Sequence, residues 1–139
     1  TNVRYTWPPR NYIDEAATIW SEATAFRDGA AEIAPLNLAR PLIHAVVDSS
    51  PRSLLLVALD ASDRVVGFAA VKPVSEDESI AEIRYLGVKP DSWGRGVGRQ
   101  LMLALPDRLA AAGYIRAELA VYVDNHRAVR LYENLGWFP

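Results

Sequence analysis

A chain of 139 residues has the size of one compact domain, able to bury ~68% of the surface that its unfolded form exposes. Half of its residues are hydrophobic and 23% are charged, which excludes a disordered or low-complexity protein. The net charge of −2 is spread unevenly: residues 1–79 hold 7 Lys and Arg against 11 Asp and Glu, and residues 80–139 hold 8 against 6, so an anionic ligand is expected to prefer the second half.

Taken in chain order, Val3 to Trp7 reads as a short strand stopped by Pro8 and Pro9. Asn11 to Ala25 has Ile13, Ala16, Ala17 and Trp20 at helical spacing. A second helix is expected over Leu36 to Val47, with Pro41 early in it or at its start. Ser53–Leu59 and Val65–Val74 flank a polar turn at 60–63 and form a hairpin. Ile80–Val88 is a further strand. A glycine-rich turn then leads into a helix over Val97–Ala112, capped by Gly113 and expected to kink at Pro106. Ile115–Val123 is the last strand and Asn125–Leu135 a short helix ending at Gly136. Strands on both sides of the glycine turn and its helix imply a parallel pair joined by a crossover, beside antiparallel strands. The expected architecture is one mixed α/β domain over residues 1–139, its sheet mostly antiparallel and helices on both faces.

Zero Cys excludes disulfides, thiolate metal sites and a cysteine nucleophile, and the distant His44 and His126 make a histidine-rich metal site an unsuitable reading. No apolar run is long enough to span a bilayer, and the first nine residues lack the apolar core of a secretion signal. The expectation is a soluble, cytoplasmic protein with no membrane partner.

The segment Asp91-Ser92-Trp93-Gly94-Arg95-Gly96-Val97-Gly98-Arg99-Gln100 carries the most chemistry. Glycines at alternate positions let backbone N–H groups approach a ligand, and the helix that follows adds unpaired amides at its positive end. Arg95 and Arg99 stand where the helix dipole disfavours cations, which makes sense if an anion binds there. A dinucleotide-binding loop requires GxGxxG directly after a strand, whereas the spacing here is GxGxG, several residues beyond Val88. Glu118 lies 20 residues after Gly98, but near the beginning of its strand. A nucleoside-triphosphate loop fails for want of GK[ST].

The run from Ala81 through Gly87-Val88-Lys89-Pro90 to Gly98-Arg99-Gln100-Leu101-Met102 resembles the cofactor motif of the GNAT superfamily of N-acetyltransferases. A second block, from Val121 through Asn125, Ala128, Leu131 and Tyr132 to Gly136-Trp137, resembles that family's later motif. The resemblance implies acetyl-CoA as donor and no metal. Leu86, Gly87 and Val88 would offer backbone groups to the pantetheine arm; Gly94, Arg95, Gly96, Val97, Gly98 and Arg99 would hold the pyrophosphate; Asn125 would contact the pantetheine side. Trp93 departs from the family pattern, which has Arg or Gln in that place, so one polar contact is expected to be lost.

Acetyl transfer to an amine requires a deprotonated amine, stabilisation of the developing oxyanion and protonation of the departing thiolate. With no cysteine and no GxSxG elbow, direct attack is favoured over an acyl-enzyme. The resemblance gives Tyr132 the role of acid and Glu82 that of base, acting through water; a carboxylate merely paired with Arg84 is the competing reading for Glu82. A second base position of the family falls on Ala120, which cannot serve. Tyr122 and the segment holding Phe26, Arg27, Asp28 and Glu32 match the acceptor side. His44 reads as a core histidine and His126 as exposed.

The family continues past Gly136-Trp137 with further strands, which implies missing C-terminal strands and an open sheet edge that a second copy of the chain could complete as a homodimer. The leading function is N-acetyl transfer to a primary amine of a small molecule. A CoA-binding sensor without turnover is the alternative. Nucleic-acid binding through Arg95, Arg99, Arg127 and Arg130 is disfavoured by the acidic net charge and the lack of interleaved aromatics.

Overall fold

The computed structural model describes residues 2–5, 12–29, 32–120, 129–130, 132–133 and 136–137. Its elements are β1 (Asn2–Tyr5), α1 (Ile13–Asp28), α2 (Leu36–Val47), β2 (Leu54–Leu59), β3 (Val65–Val74), β4 (Asp77–Val88), α3 (Val97–Ala111) and β5 (Arg116–Leu119), with a 3₁₀ turn over Pro90–Ser92. The strands form one sheet in the order β1-β2-β3-β4-β5. Every pair is antiparallel except β4 with β5, which is parallel and joined by the α3 crossover. This is the mixed sheet that the element order predicts.

Helices cover both faces. Leu56, Ala69, Val71, Ala81 and Ile83 pack with Val97, Leu101, Met102 and Leu105 of α3. Leu55, Val57, Phe68 and Ala70 pack with Ile13, Ala16 and Ala17 of α1 and with Ala39 and Ile43 of α2. β2 is a continuous apolar run, Leu-Leu-Leu-Val-Ala-Leu, and all six residues are buried because both faces of that strand are covered. Two glycines set the depth of packing. A Cβ on Gly67 would lie 2.8 Å from Val97 Cγ1, and one on Gly87 would lie 2.7 Å from Phe68 Cε1. Without them neither the first turn of α3 nor the Phe68 ring could sit so close to the sheet.

Several expected boundaries shift. α1 runs three residues beyond Ala25 and ends where Gly29, at φ 65°, donates its N–H to the carbonyls of Ala25 and Phe26. Pro41 is the sixth residue of α2, inside the helix rather than at its start. β4 begins at Asp77, because the Ser75-Glu76 turn makes β3 and β4 a hairpin. β5 covers Arg116–Leu119, so Ile115 and Ala120 fall outside the strand; the rest of its expected continuation, residues 121–123, lies outside the described residues. So does most of the expected Asn125–Leu135 helix, although residues 129–130 and 132–133 are helical.

The register contains one feature invisible in the sequence pattern. Ala70 pairs with Tyr85 but its neighbour Val71 pairs with Ile83, so Arg84 is an extra residue in β4. Such a bulge reverses the alternation of side chains. Ile83 and Leu86, three apart, therefore both pack on the α3 side, while Tyr85 packs with α1 and α2.

Candidate functional site

The parallel ladder runs from Ile80↔Arg116 to Ile83↔Leu119, whereas β4 continues to Val88. Residues 84–88 thus have no strand on that side among the described residues. Lys89 N–H donates to Val66 O at 2.8 Å, so Lys89 faces β3 and, by alternation, the N–H and C=O groups of Val88 and Leu86 face the open side. An exposed row of this kind can pair with any extended chain of amides.

The strand runs straight into the glycine turn. Ser92 N–H donates to Lys89 O at 2.8 Å and closes the 3₁₀ turn. Gly94 and Gly96 both adopt φ 80°, and Gly96 is the N-cap of α3. A Cβ on Gly96 would meet nothing within 4 Å, so glycine is required there by the backbone angle and not by space. The N–H groups of Val97, Gly98 and Arg99 occupy the first turn of α3 and have no acceptor within the helix. Arg95 and Arg99 are exposed, and neither has an ion pair among the described residues. Unpaired amides, the positive end of the α3 dipole and two exposed arginines lie within this one turn, which suits an anion.

Trp93 fills the Arg or Gln position of the resembling motif with an indole that is half-buried and bonded. Its Nε1–H donates to Val88 O at 2.7 Å. The ring edge meets Phe26 at a centroid distance of 4.8 Å, with planes at 79°. The indole N–H is thus spent on the strand.

Tyr132 is half-buried and packs, with Trp137, against the α3-side core; Trp137 N–H donates to its carbonyl at 3.0 Å. Burial pushes the Tyr132 hydroxyl up to about 12, so it stays protonated at neutral pH. Glu82 lies on the opposite face, since Ala81 and Ile83 on either side of it point into the α3-side core. Its neighbours across the ladders are Lys72 on β3 and Glu118 on β5. Its carboxylate is a loose 4.0 Å from Arg84 Nε, and Glu118 is paired more tightly with Arg116 at 3.1 Å. The Arg84 guanidinium lies 4.6 Å from the Tyr85 ring centre, and Trp20 meets Tyr85 edge-on at 6.3 Å. Sequence reading missed Tyr85 and Trp20 on the face that carries Glu82, because only the bulge at Arg84 turns Tyr85 to that face.

The structure thus brings Leu86, Val88, the glycine turn and Trp93 together, and sets Glu82, in the paired part of β4, and Tyr132 on opposite faces of the sheet. Asn125, Tyr122 and His126 lie outside the described residues, as does the side chain of Arg27. Phe26 is 63% exposed at the end of α1, and Asp28 and Glu32 are also exposed. His44 is not a core histidine: its ring is partly exposed, with Nδ1 3.5 Å from Asp48 Oδ2, a helical i,i+4 pairing. Among the described residues no group of three or more His, Asp or Glu is placed to hold a metal ion, and no helix is long and apolar enough to cross a membrane.

Residues 13–137 match the Acetyltransferase (GNAT) family. The chain belongs to that family. Among curated relatives, a mycothiol acetyltransferase of Actinosynnema mirum is 42% identical over 82 residues, covering 59% of this chain and 27% of the relative. The [ribosomal protein bS18]-alanine N-acetyltransferase of Salmonella typhimurium is 36% identical over 83 residues, covering 60% of this chain and 54% of the relative. The chain therefore spans about a quarter to a half of the length of these relatives. The fold is shared with the ribosomal-protein-S18-alanine N-acetyltransferase from Escherichia coli, at a TM-score of 0.68, 22% identity and coverage of 97% and 76% of the two chains. It is shared equally with a transcriptional regulator from Bacillus halodurans, at a TM-score of 0.74, 19% identity and coverage of 99% and 92%.

Proposed function

We propose that this GNAT domain is an acetyl-CoA-dependent N-acetyltransferase that acts on a primary amine of a small molecule, by direct attack in a ternary complex. The observation that carries the reading is the open edge of β4 at Leu86–Val88 running directly into a turn with two left-handed glycines at the start of α3. One end of that track suits the amide-rich pantetheine arm, and the other suits the pyrophosphate. When bound, acetyl-CoA supplies an activated thioester.

The outward N–H and C=O of Leu86 and N–H of Val88 bind the arm as another strand would. The loop amides from Gly94 to Arg99 bind the phosphates, with Arg95 and Arg99 adding charge. Tyr132, kept neutral by burial, holds a proton at its hydroxyl for the departing thiolate. Glu82, on the other face, accepts the proton of the incoming amine through a water. Acid and base then act from opposite sides of the gap in the sheet, which keeps the two proton transfers apart. Asn125 completes the arm's surroundings.

A protein N-terminus is the second reading for the acceptor, favoured by the relative named for alanine of ribosomal protein bS18. Calorimetric titration with acetyl-CoA, followed by thiol release against polyamines, amino sugars, amino acids and a peptide beginning with alanine, tests the whole proposal. Amine-dependent release establishes the transferase, and the most efficient amine names the acceptor class. Binding without release against any of them leaves a CoA-binding module and overturns the enzyme. Absence of binding by the folded chain overturns the acetyl-CoA site.

A further inference from the structure

We propose that Trp93 is a positioning residue that ends the cofactor track on β4 and turns the bound molecule from the strand edge into the glycine loop. The inference deepens the acetyl-CoA reading above and rests on it.

Leu86 and Val88 present four backbone groups to the open side of β4. One of them, the Val88 carbonyl, already accepts the indole N–H of Trp93 at 2.7 Å. An extended ligand lying on this edge therefore finds Leu86 N–H, Leu86 C=O and Val88 N–H without a partner strand among the described residues, whereas the Val88 carbonyl has one of its two lone pairs taken and the indole beside it. That crowding turns an extended ligand off the strand at Val88. At that point the amides of Gly94 to Arg99 begin, so the indole marks where amide pairing stops and anion binding starts.

The same bond has a second effect. Gly94 and Gly96 give the loop a backbone with many accessible conformations, and ordering it at the moment of binding would reduce affinity. A side chain five residues beyond Val88 that bonds back to it closes the intervening segment into a ring with the 3₁₀ turn inside. Phe26, edge-on against the indole at 4.8 Å, braces the ring from the α1 side. The loop is thereby held against the strand before any ligand arrives.

The test uses Trp93→Phe, which keeps a ring against Phe26 and deletes the donor, and Trp93→Gln, which keeps an N–H donor and deletes the ring. Acetyl-CoA and S-acetylpantetheine, which lacks the phosphates, serve as probes in binding and turnover assays, with melting temperature recorded alongside. Trp93→Phe is expected to raise the Kd and KM for acetyl-CoA about 3–10-fold, the worth of one ordinary hydrogen bond, and to change kcat less than KM. For S-acetylpantetheine the change is expected to stay below about twofold, because the arm's own partners are intact. Trp93→Gln is expected to bind acetyl-CoA within about threefold of the parent.

Unchanged acetyl-CoA affinity in Trp93→Phe overturns the proposal and leaves the acetyl-CoA reading standing. An equal loss for both probes also overturns it, since the defect would then lie in the strand edge. If Trp93→Phe fails to fold, a tenfold loss in a folded Trp93→Gln overturns it. Absence of acetyl-CoA binding by the folded parent removes both this proposal and the reading beneath it.

Discussion

The stretches Ala81–Tyr85 and Leu86–Arg99 adjoin on one strand and its following turn, yet they face a ligand with different groups. From Leu86 onward the strand has no parallel neighbour among the described residues and offers its backbone, followed by loop and helix amides. From Ala81 to Ile83 it is paired on both sides, and the stretch to Tyr85 offers side chains: Glu82 beside Arg84, and Arg84 over Tyr85. Backbone groups are the same in every sequence, and only the conformation that presents them needs particular residues, chiefly glycines. Side-chain groups can be changed one at a time without disturbing the fold. On the proposed reading, the contrast teaches that a donor half built of backbone constrains sequence strongly, and an acceptor half built of side chains leaves room for many specificities.

The sharpest way to separate the two halves is Tyr132→Phe. The ring still fills its place against the α3-side core, and only the hydroxyl is lost. Turnover is expected to fall about 100-fold or more, the usual worth of a positioned proton donor, with acetyl-CoA affinity changed less than twofold. Turnover at the parent level would end the role of acid. The pH dependence carries a sign. Because burial raises the hydroxyl to about 12, the donor stays protonated up to strongly alkaline pH, and Tyr132 should impose no fall in rate between pH 8 and 10. The unfolded chain ionises its tyrosine first, near pH ~10, so the stability contributed by the neutral buried group is present below that pH and is lost as pH rises toward 12. A melting series from pH 8 to 11 in parent and Phe variant reads that difference directly.

Arg99→Glu probes the backbone-built half through charge rather than shape. The exposed guanidinium at the first turn of α3 becomes a carboxylate facing the same amides, and acetyl-CoA Kd is expected to rise about tenfold at low salt. The ratio should shrink at 0.5 M salt, where charges beyond a few ångströms are screened. Unchanged affinity in a folded variant would remove the phosphate assignment.

Glu82→Gln probes the side-chain half. Its carboxylate is more than a third exposed and held only loosely by Arg84, so the substitution should leave the melting temperature close to the parent's. If Glu82 is the base, kcat/KM falls about tenfold at neutral pH and the acid limb of the pH–rate profile moves, because the carboxylate form is what accepts the proton. An unaltered profile would hand that role to water or to Glu118.

How much of this was legible in the sequence follows the same division. The glycine turn could be read directly as a turn, since glycines at alternate positions leading into a helix predict the left-handed backbone found at Gly94 and Gly96. Apolar periodicity located α2 and β3 to the residue, because each is a well-patterned run bounded by turn residues. The bulge at Arg84 was not readable: nothing local in Glu82-Ile83-Arg84-Tyr85-Leu86 distinguishes a continuous strand from a bulged one, and the register with β3 decides it. Its consequence, the turning of Tyr85 toward Trp20, was hidden for the same reason. His44 misled in the opposite direction. It sits in an apolar helix, yet it falls on a partly exposed stripe opposite Asp48.

Phe26→Ala joins the two halves and has the smallest expected effect. Phe26 stands in the last turn of α1, 63% exposed, and its ring packs edge-on against Trp93. Truncating it removes an aromatic pair worth about 0.5–1.5 kcal/mol in favourable settings, and less where solvent reaches the rings. The hydrogen bond from Trp93 to Val88 survives, so the loop keeps its tether and loses only its brace. Acetyl-CoA KM should rise about twofold, well short of the effect of Trp93→Phe. The informative quantity is the acceptor KM measured at saturating acetyl-CoA. If the end of α1 lines the acceptor pocket, acceptor KM rises more than acetyl-CoA KM, and the aromatic contact is a point where the two substrates sense each other. If only acetyl-CoA KM moves, Phe26 belongs to the cofactor loop alone, and the acceptor side must be sought around Tyr85 and Trp20.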